Sequence, residues 1–231
     1  MNLIDVVKGL VNDTILSISC KIELLENEVD YTYRFYVPCK NTYWVSECMN
    51  LYGGIVVSVV RNQYFDIKFS EAIAVGEFNV TLPKPTFVHG TVPFANLEIK
   101  QDCLNSPICY LWEIFTAQYQ NKFSTVDYVG QRIRLFFLSD YSQDDLTTDD
   151  HYNRCVYPME QMALYFVYVM KKSKFIDVEY LINDKFDIIN RVKVGDYKGA
   201  TGNNTGLFAR NLSGVELVIN IPVKKLDYCD C

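Results

Sequence analysis

The sequence predicts an α+β protein: a mixed or antiparallel sheet flanked by helices, with a β-rich insertion in its N-terminal half. Three observations carry the prediction. Between Ile15 and Leu82, short runs alternate apolar and polar side chains and are separated by turn residues, the period of half-buried strands. Residues 158–172 repeat their apolar side chains at helical spacing. Two strand-like runs precede that helix and two follow it.

Taken in order, Leu3, Ile4, Val7, Leu10 and Val11 share one face of a short amphipathic helix over 2–12. The β-rich block then runs through Ile15–Cys20, Tyr31–Val37, Ile55–Val60, Tyr64–Phe69 and Val75–Leu82, broken at Gly53-Gly54, Arg61-Asn62 and Gly76. Pro83, Pro85 and Pro93 exclude a central strand, so 82–103 reads as a connecting arm. Pro107–Phe115 could be a helix by apolarity alone, but its short length, its leading Pro and its Ile, Tyr, Trp and Phe content favour a strand buried on both faces. Gln131–Leu138 is a second strand, with Ile133 and Leu135 alternating against Arg132 and Arg134. Pro158 suits the first turn of the main helix, whose apolar stripe is Met159, Met162, Ala163, Phe166, Val169 and Met170; Lys171 and Lys172 complement its C-terminal dipole. Strands at 186–194 and 215–223 flank a glycine-rich loop.

Composition narrows the function. The chain has 231 residues, 49% hydrophobic and 14% aromatic, enough for a sizeable core. A net charge of −6 argues against a primary role in gripping nucleic-acid phosphates, and the Arg132/Arg134 and Phe136/Phe137 pairs read as one alternating strand rather than a base-stacking platform. The N-terminus, interrupted by Asp5 and Lys8, does not resemble a secretory signal, and the longest apolar run, Met162–Met170, is far short of the about 20 residues of a membrane span. The eight cysteines (Cys20, Cys39, Cys48, Cys103, Cys109, Cys155, Cys229, Cys231) are expected as reduced structural thiols. They contain no Cys-x-x-Cys pair, and Cys229-Asp-Cys231 has no matching partner motif for zinc.

The stretch Ser139–Met159 concentrates reactive residue types: five aspartates, His151 and Cys155. Asp149, Asp150 and His151 are suitable metal or acid–base groups, but adjacent side chains diverge on any regular backbone, and the other histidine, His89, has no acidic neighbour. Thr148 or Asp149 also fits a helix N-cap behind an acidic loop. His151 and Cys155, four residues apart, would share a helix face as a thiolate–imidazole pair, yet nothing in the sequence identifies an oxyanion hole or an orienting group. Gly195–Gly206 has four glycines in twelve residues but lacks both the Walker and the dinucleotide patterns, and it joins two strands as a hairpin loop.

The order of elements over 107–223 is strand, strand, acidic loop, short helix, Tyr-Pro-Met, helix, strand, long polar loop, strand. With the strand Pro107–Phe115, the Phe-Phe-Leu ending of Arg132–Leu138, the Val156-Tyr-Pro-Met159 junction, the final strand Leu212–Ile221 and the N-terminal helix, this order resembles the tail terminator proteins of long-tailed bacteriophages and the related ring proteins of phage necks. The β-rich stretch is longer than the link expected there and leaves the assembly position open, including a collar ring as in crAss-like phages.

The resemblance implies a tail-terminator-like ring domain at 104–231 with its N-terminal helix at 1–14, and an inserted β-rich block and arm at 15–103. It implies a structural virion protein of neck or tail, made in the host cytoplasm, with no catalytic residue, cofactor, metal or membrane contact. Subunits would close head to tail into a hexameric or dodecameric ring touching portal, collar or tail proteins, with genome DNA passing through its lumen unbound. Subunit or partner contacts are expected at Asp144, Asp145, Asp149, Asp150, Lys198, Asn203, Asn204 and Arg210. The competing expectation is a small cytoplasmic metal- or cysteine-dependent hydrolase centred on His151 and Cys155.

Overall fold

The computed structural model describes residues 2–25, 31–37, 45, 50–60, 63–82, 84–91, 95, 107–113, 115–122, 125–140, 148–177, 185–194 and 212–223. It is a mixed α+β protein dominated by two sheets, one of them curled into a half-barrel. Helix α1 (Leu3–Asn12) opens the chain. Asn2 caps it by accepting the Asp5 N–H at 2.8 Å, and Val6, Val7, Leu10 and Val11 form its buried face.

The first sheet is wholly antiparallel and contains β1 (Ser17–Leu24), β2 (Tyr31–Tyr36), β3 (Asn50–Leu51), β4 (Gly54–Val60), β5 (Tyr64–Phe69) and β6 (Gly76–Thr81). Its spatial order is β3-β4-β5-β2-β1-β6. One face carries Cys20, Ile22, Tyr33, Phe35, Val56, Phe65, Ile67 and Val80 into the core, where Phe35 and Phe65 stack with centroids 5.2 Å apart. The turn from β3 to β4 places both Tyr52 (φ 58°) and Gly53 (φ 82°) in the left-handed region, as a two-residue hairpin turn of this hand requires. Tyr52 has no glycine-like freedom there. Its hydroxyl donates to the Asn79 carbonyl oxygen of β6 at 3.0 Å. Because β3 and β6 are opposite edges of the sheet, this bond spans the mouth of the half-barrel.

The second sheet holds β7 (Thr86–His89), β8 (Ile108–Leu111), β9 (Thr116–Lys122), β10 (Thr125–Asp140), β11 (Asp187–Val194) and β12 (Leu212–Ile221), with the order β11-β12-β10-β8-β7. All pairings are antiparallel except β7 on β8. Strand β7 lies in the stretch read as a connecting arm; it covers the edge of β8 and packs against α1. The run Pro107–Phe115 is not one strand. It breaks after Leu111, and β9 resumes along the same edge of β10, which begins at Thr125, six residues before the expected start at Gln131. All four residues of β8 are buried, as expected.

The second correction concerns the helices. Residues 148–172 form one continuous rod: α2 (Thr148–His151), a π-helical turn (Tyr152–Val156) and α3 (Tyr157–Lys172). Pro158 lies in the first turn of α3, as expected, but α3 continues the rod and is not set apart from α2. A proline inside a regular helix removes one N–H and crowds the preceding turn, and the wider turn accommodates it: the Tyr157 N–H donates to the Tyr152 carbonyl oxygen five residues back. Met159, Met162, Ala163, Phe166 and Met170 are fully buried on β10 and β12, with Phe166 and Phe137 rings 5.7 Å apart. One apolar core runs from α1 through both sheets to α3. A smaller cluster of Val88, Ala95, Ile108, Tyr110, Phe136, Leu138 and Leu212 covers the opposite face of the second sheet.

Candidate functional site

The reactive residues of Ser139–Met159 separate according to the faces of the rod. Asp149 is exposed, whereas His151 (4% exposed) and Cys155 (3%) turn inward. The register of β10 on β12 pairs Ser139 with Ser213 beneath them. His151 Nε2 lies 2.8 Å from Ser213 Oγ. Cys155 Sγ lies 3.0 Å from Ser139 Oγ, and its thiol donates to the Ser213 carbonyl oxygen at 3.2 Å. Both side chains thus meet at Ser213, and the four polar groups satisfy one another where the rod docks on the sheet. Neither serine stood out in the sequence; the only signal was their shared small, polar type at the ends of two strands whose pairing is long-range.

Gly214, next to this cluster, permits the rod to come close. A β-carbon there would lie 2.0 Å from the Phe137 carbonyl oxygen and 3.1 Å from Met159 Cγ. Among the described residues no three His, Cys, Asp or Glu side chains gather as a metal-binding group. Asp144, Asp145, Lys198, Asn203, Asn204 and Arg210 lie outside the described residues, as does the side chain of Asp150.

Cys20, Cys109 and Cys155 are buried thiols outside any disulfide. Burial pushes the Cys20 thiol from 9.0 up to about 11, and raises Cys109 further for the same reason. A thiol whose value is raised by folding contributes stability that is complete below the unfolded value and lost as the pH climbs through the folded one. The urea midpoint is therefore expected to fall between about pH 9 and 11, and to fall less steeply in Cys20→Val. Equal slopes in the two proteins would contradict this.

Two ion pairs order the charged faces of the sheets. Arg34 donates to both carboxylate oxygens of Asp66, at 2.8 and 3.0 Å, while its guanidinium lies 3.6 Å from the centre of the Tyr64 ring. On the second sheet Arg134 donates to the buried Glu216 beside Trp112 and Phe136. The outer side of the rod is different in character: Leu164 and Tyr168 (48% exposed) stand in solvent with Tyr165 beside them. No helix among the described residues is long and apolar enough to cross a membrane. No protein-family model, curated protein or solved structure matches the chain.

Proposed function

We propose that the protein is a structural ring component of a phage neck or tail that links portal-proximal and tail parts and conducts DNA. The observation that carries this reading is the arrangement of the described residues of 107–223: β8, β9, β10, β11 and β12 share one sheet with the helical rod laid across a face, an order that differs from that expected of such ring domains in the extra strand β9 and in the continuity of the rod. Supporting it, His151 and Cys155 are engaged in docking the rod, which makes the hydrolase reading the less economical one. The net charge of −6 suits a conduit along which DNA slides. Exposed Leu164 supplies apolar surface for a neighbouring subunit.

Light scattering coupled to size exclusion is expected to give a hexamer or dodecamer, and electron microscopy a closed ring. A monomer at all concentrations, absent from purified particles, would sink the proposal. The acidic segment is the partner-facing element in this reading. Replacing Asp144, Asp145, Asp149 and Asp150 together by Asn is expected to lower the assembled fraction while leaving folding largely intact, with a stability change of no more than roughly 0.5 kcal/mol at the exposed Asp149. Unchanged assembly in that variant would remove the segment from the interface.

A further inference from the structure

We propose that the cavity where the C-terminal ends of α1 and α3 converge is a binding site for a guanidinium group, that of an arginine side chain on another polypeptide. The cavity measures about 320 Å³ and is lined by Asp13, Tyr165, Tyr168, Val169, Lys172 and Ser173. A volume of a few hundred Å³ is that of a side-chain-sized ligand and far exceeds a metal ion.

Its electrostatics favour a cation from two sides. Helix C-termini carry negative partial charge; that of α3 is complemented by Lys171 and Lys172, whereas that of α1 is not. Asp13, the C-cap of α1, adds a full negative charge at the unfavourable end of its own helix, whose last turn contains no basic residue. Tyr165 and Tyr168 line the cavity with ring centroids 5.5 Å apart, and Tyr165 is fixed by donating its hydroxyl to the Ile15 carbonyl oxygen at 3.2 Å.

The chain already places one cation at this wall. Lys172 Nζ lies 4.1 Å from the centre of the Tyr168 ring and donates to its hydroxyl. Among the described residues, no ion pair joins that ammonium to Asp13. A planar guanidinium suits the site better than a second ammonium, because it stacks on a tyrosine face while its N–H groups reach a carboxylate and helix-end carbonyls.

The site is independent of the ring reading, and its test uses the whole chain in whatever oligomeric state it adopts. Saturation-transfer NMR with L-argininamide is expected to show saturable binding with a Kd on the order of millimolar, as for other ligands of this size. Asp13→Asn and Tyr168→Ala, both at exposed positions, are each expected to weaken it roughly three- to tenfold with an unchanged circular dichroism spectrum. L-lysinamide is expected to bind more weakly than L-argininamide. Non-saturable transfer, an affinity unaltered in both variants, or equal binding of L-lysinamide would each overturn the proposal.

Discussion

Gly214→Ala is expected to destabilise the fold by at least about 3 kcal/mol, enough to leave much of the protein insoluble on expression. The added methyl would sit 2.0 Å from a backbone oxygen of β10, a group that cannot rotate aside, and 3.1 Å from Met159 on the rod. Relief would require β12 to move away from β10 or α3 to lift from the sheet. Either movement also loosens Ser213, and with it the anchors of His151 and Cys155. Urea denaturation with tryptophan fluorescence gives the stability directly. A midpoint within experimental error of the parent would show that the close approach of rod and sheet is not built as described.

Arg34→Ala is expected to cost roughly 2–4 kcal/mol, and the double replacement Arg34→Met/Asp66→Leu to recover much of that loss. The Asp66 side chain is 8% exposed, and Arg34 supplies both of its guanidinium contacts. Removing the arginine leaves a carboxylate largely out of water without its counter-ion, which is more damaging than never having had the pair. The hydrogen bond to Asp66 is the main reason the Arg34 guanidinium is held above its ordinary value. Arg34 is a quarter exposed, so the loss lies below that of a fully enclosed pair. Chemical denaturation of the two variants gives the comparison. A single variant as stable as the parent would contradict the prediction, and a double variant no better than the single would assign the stabilisation to the packing of the guanidinium over Tyr64 instead.

The strands between Ile15 and Leu82 were legible because the first sheet buries one face, so alternation in the sequence is alternation in space: Tyr33 and Phe35 point inward, with Arg34 between them on the charged face. Ile108–Leu111 was legible for the opposite reason, since burial on both faces leaves an unbroken apolar run. Strand β7 was hidden because four residues flanked by prolines carry almost no periodic signal; its pairing with β8 is decided by tertiary packing on α1. The curl of the first sheet was equally hidden, because a hydrogen bond from Tyr52 to Asn79 joins residues that no local pattern relates. In the candidate site, the sequence placed His151 and Cys155 on a common helical face, and the structure does bring them together. What it could not supply was the third partner, Ser213, which arrives from a distant strand through the β10–β12 register.

The π-helical turn has a consequence for how the rod tolerates change in length. A regular helix advances about 100° per residue, and the wider turn absorbs one residue more than a regular turn does. That extra residue acts as a phase shifter: it lets α3 keep its methionine and phenylalanine stripe on the sheet while α2 independently aims His151 at Ser213. Winding the same residues into a regular helix, with none deleted, would swing everything ahead of them through about a quarter of a revolution. His151 would then face solvent and Asp149 would turn toward new neighbours, so the direction in which Asp149 points is set by one surplus residue.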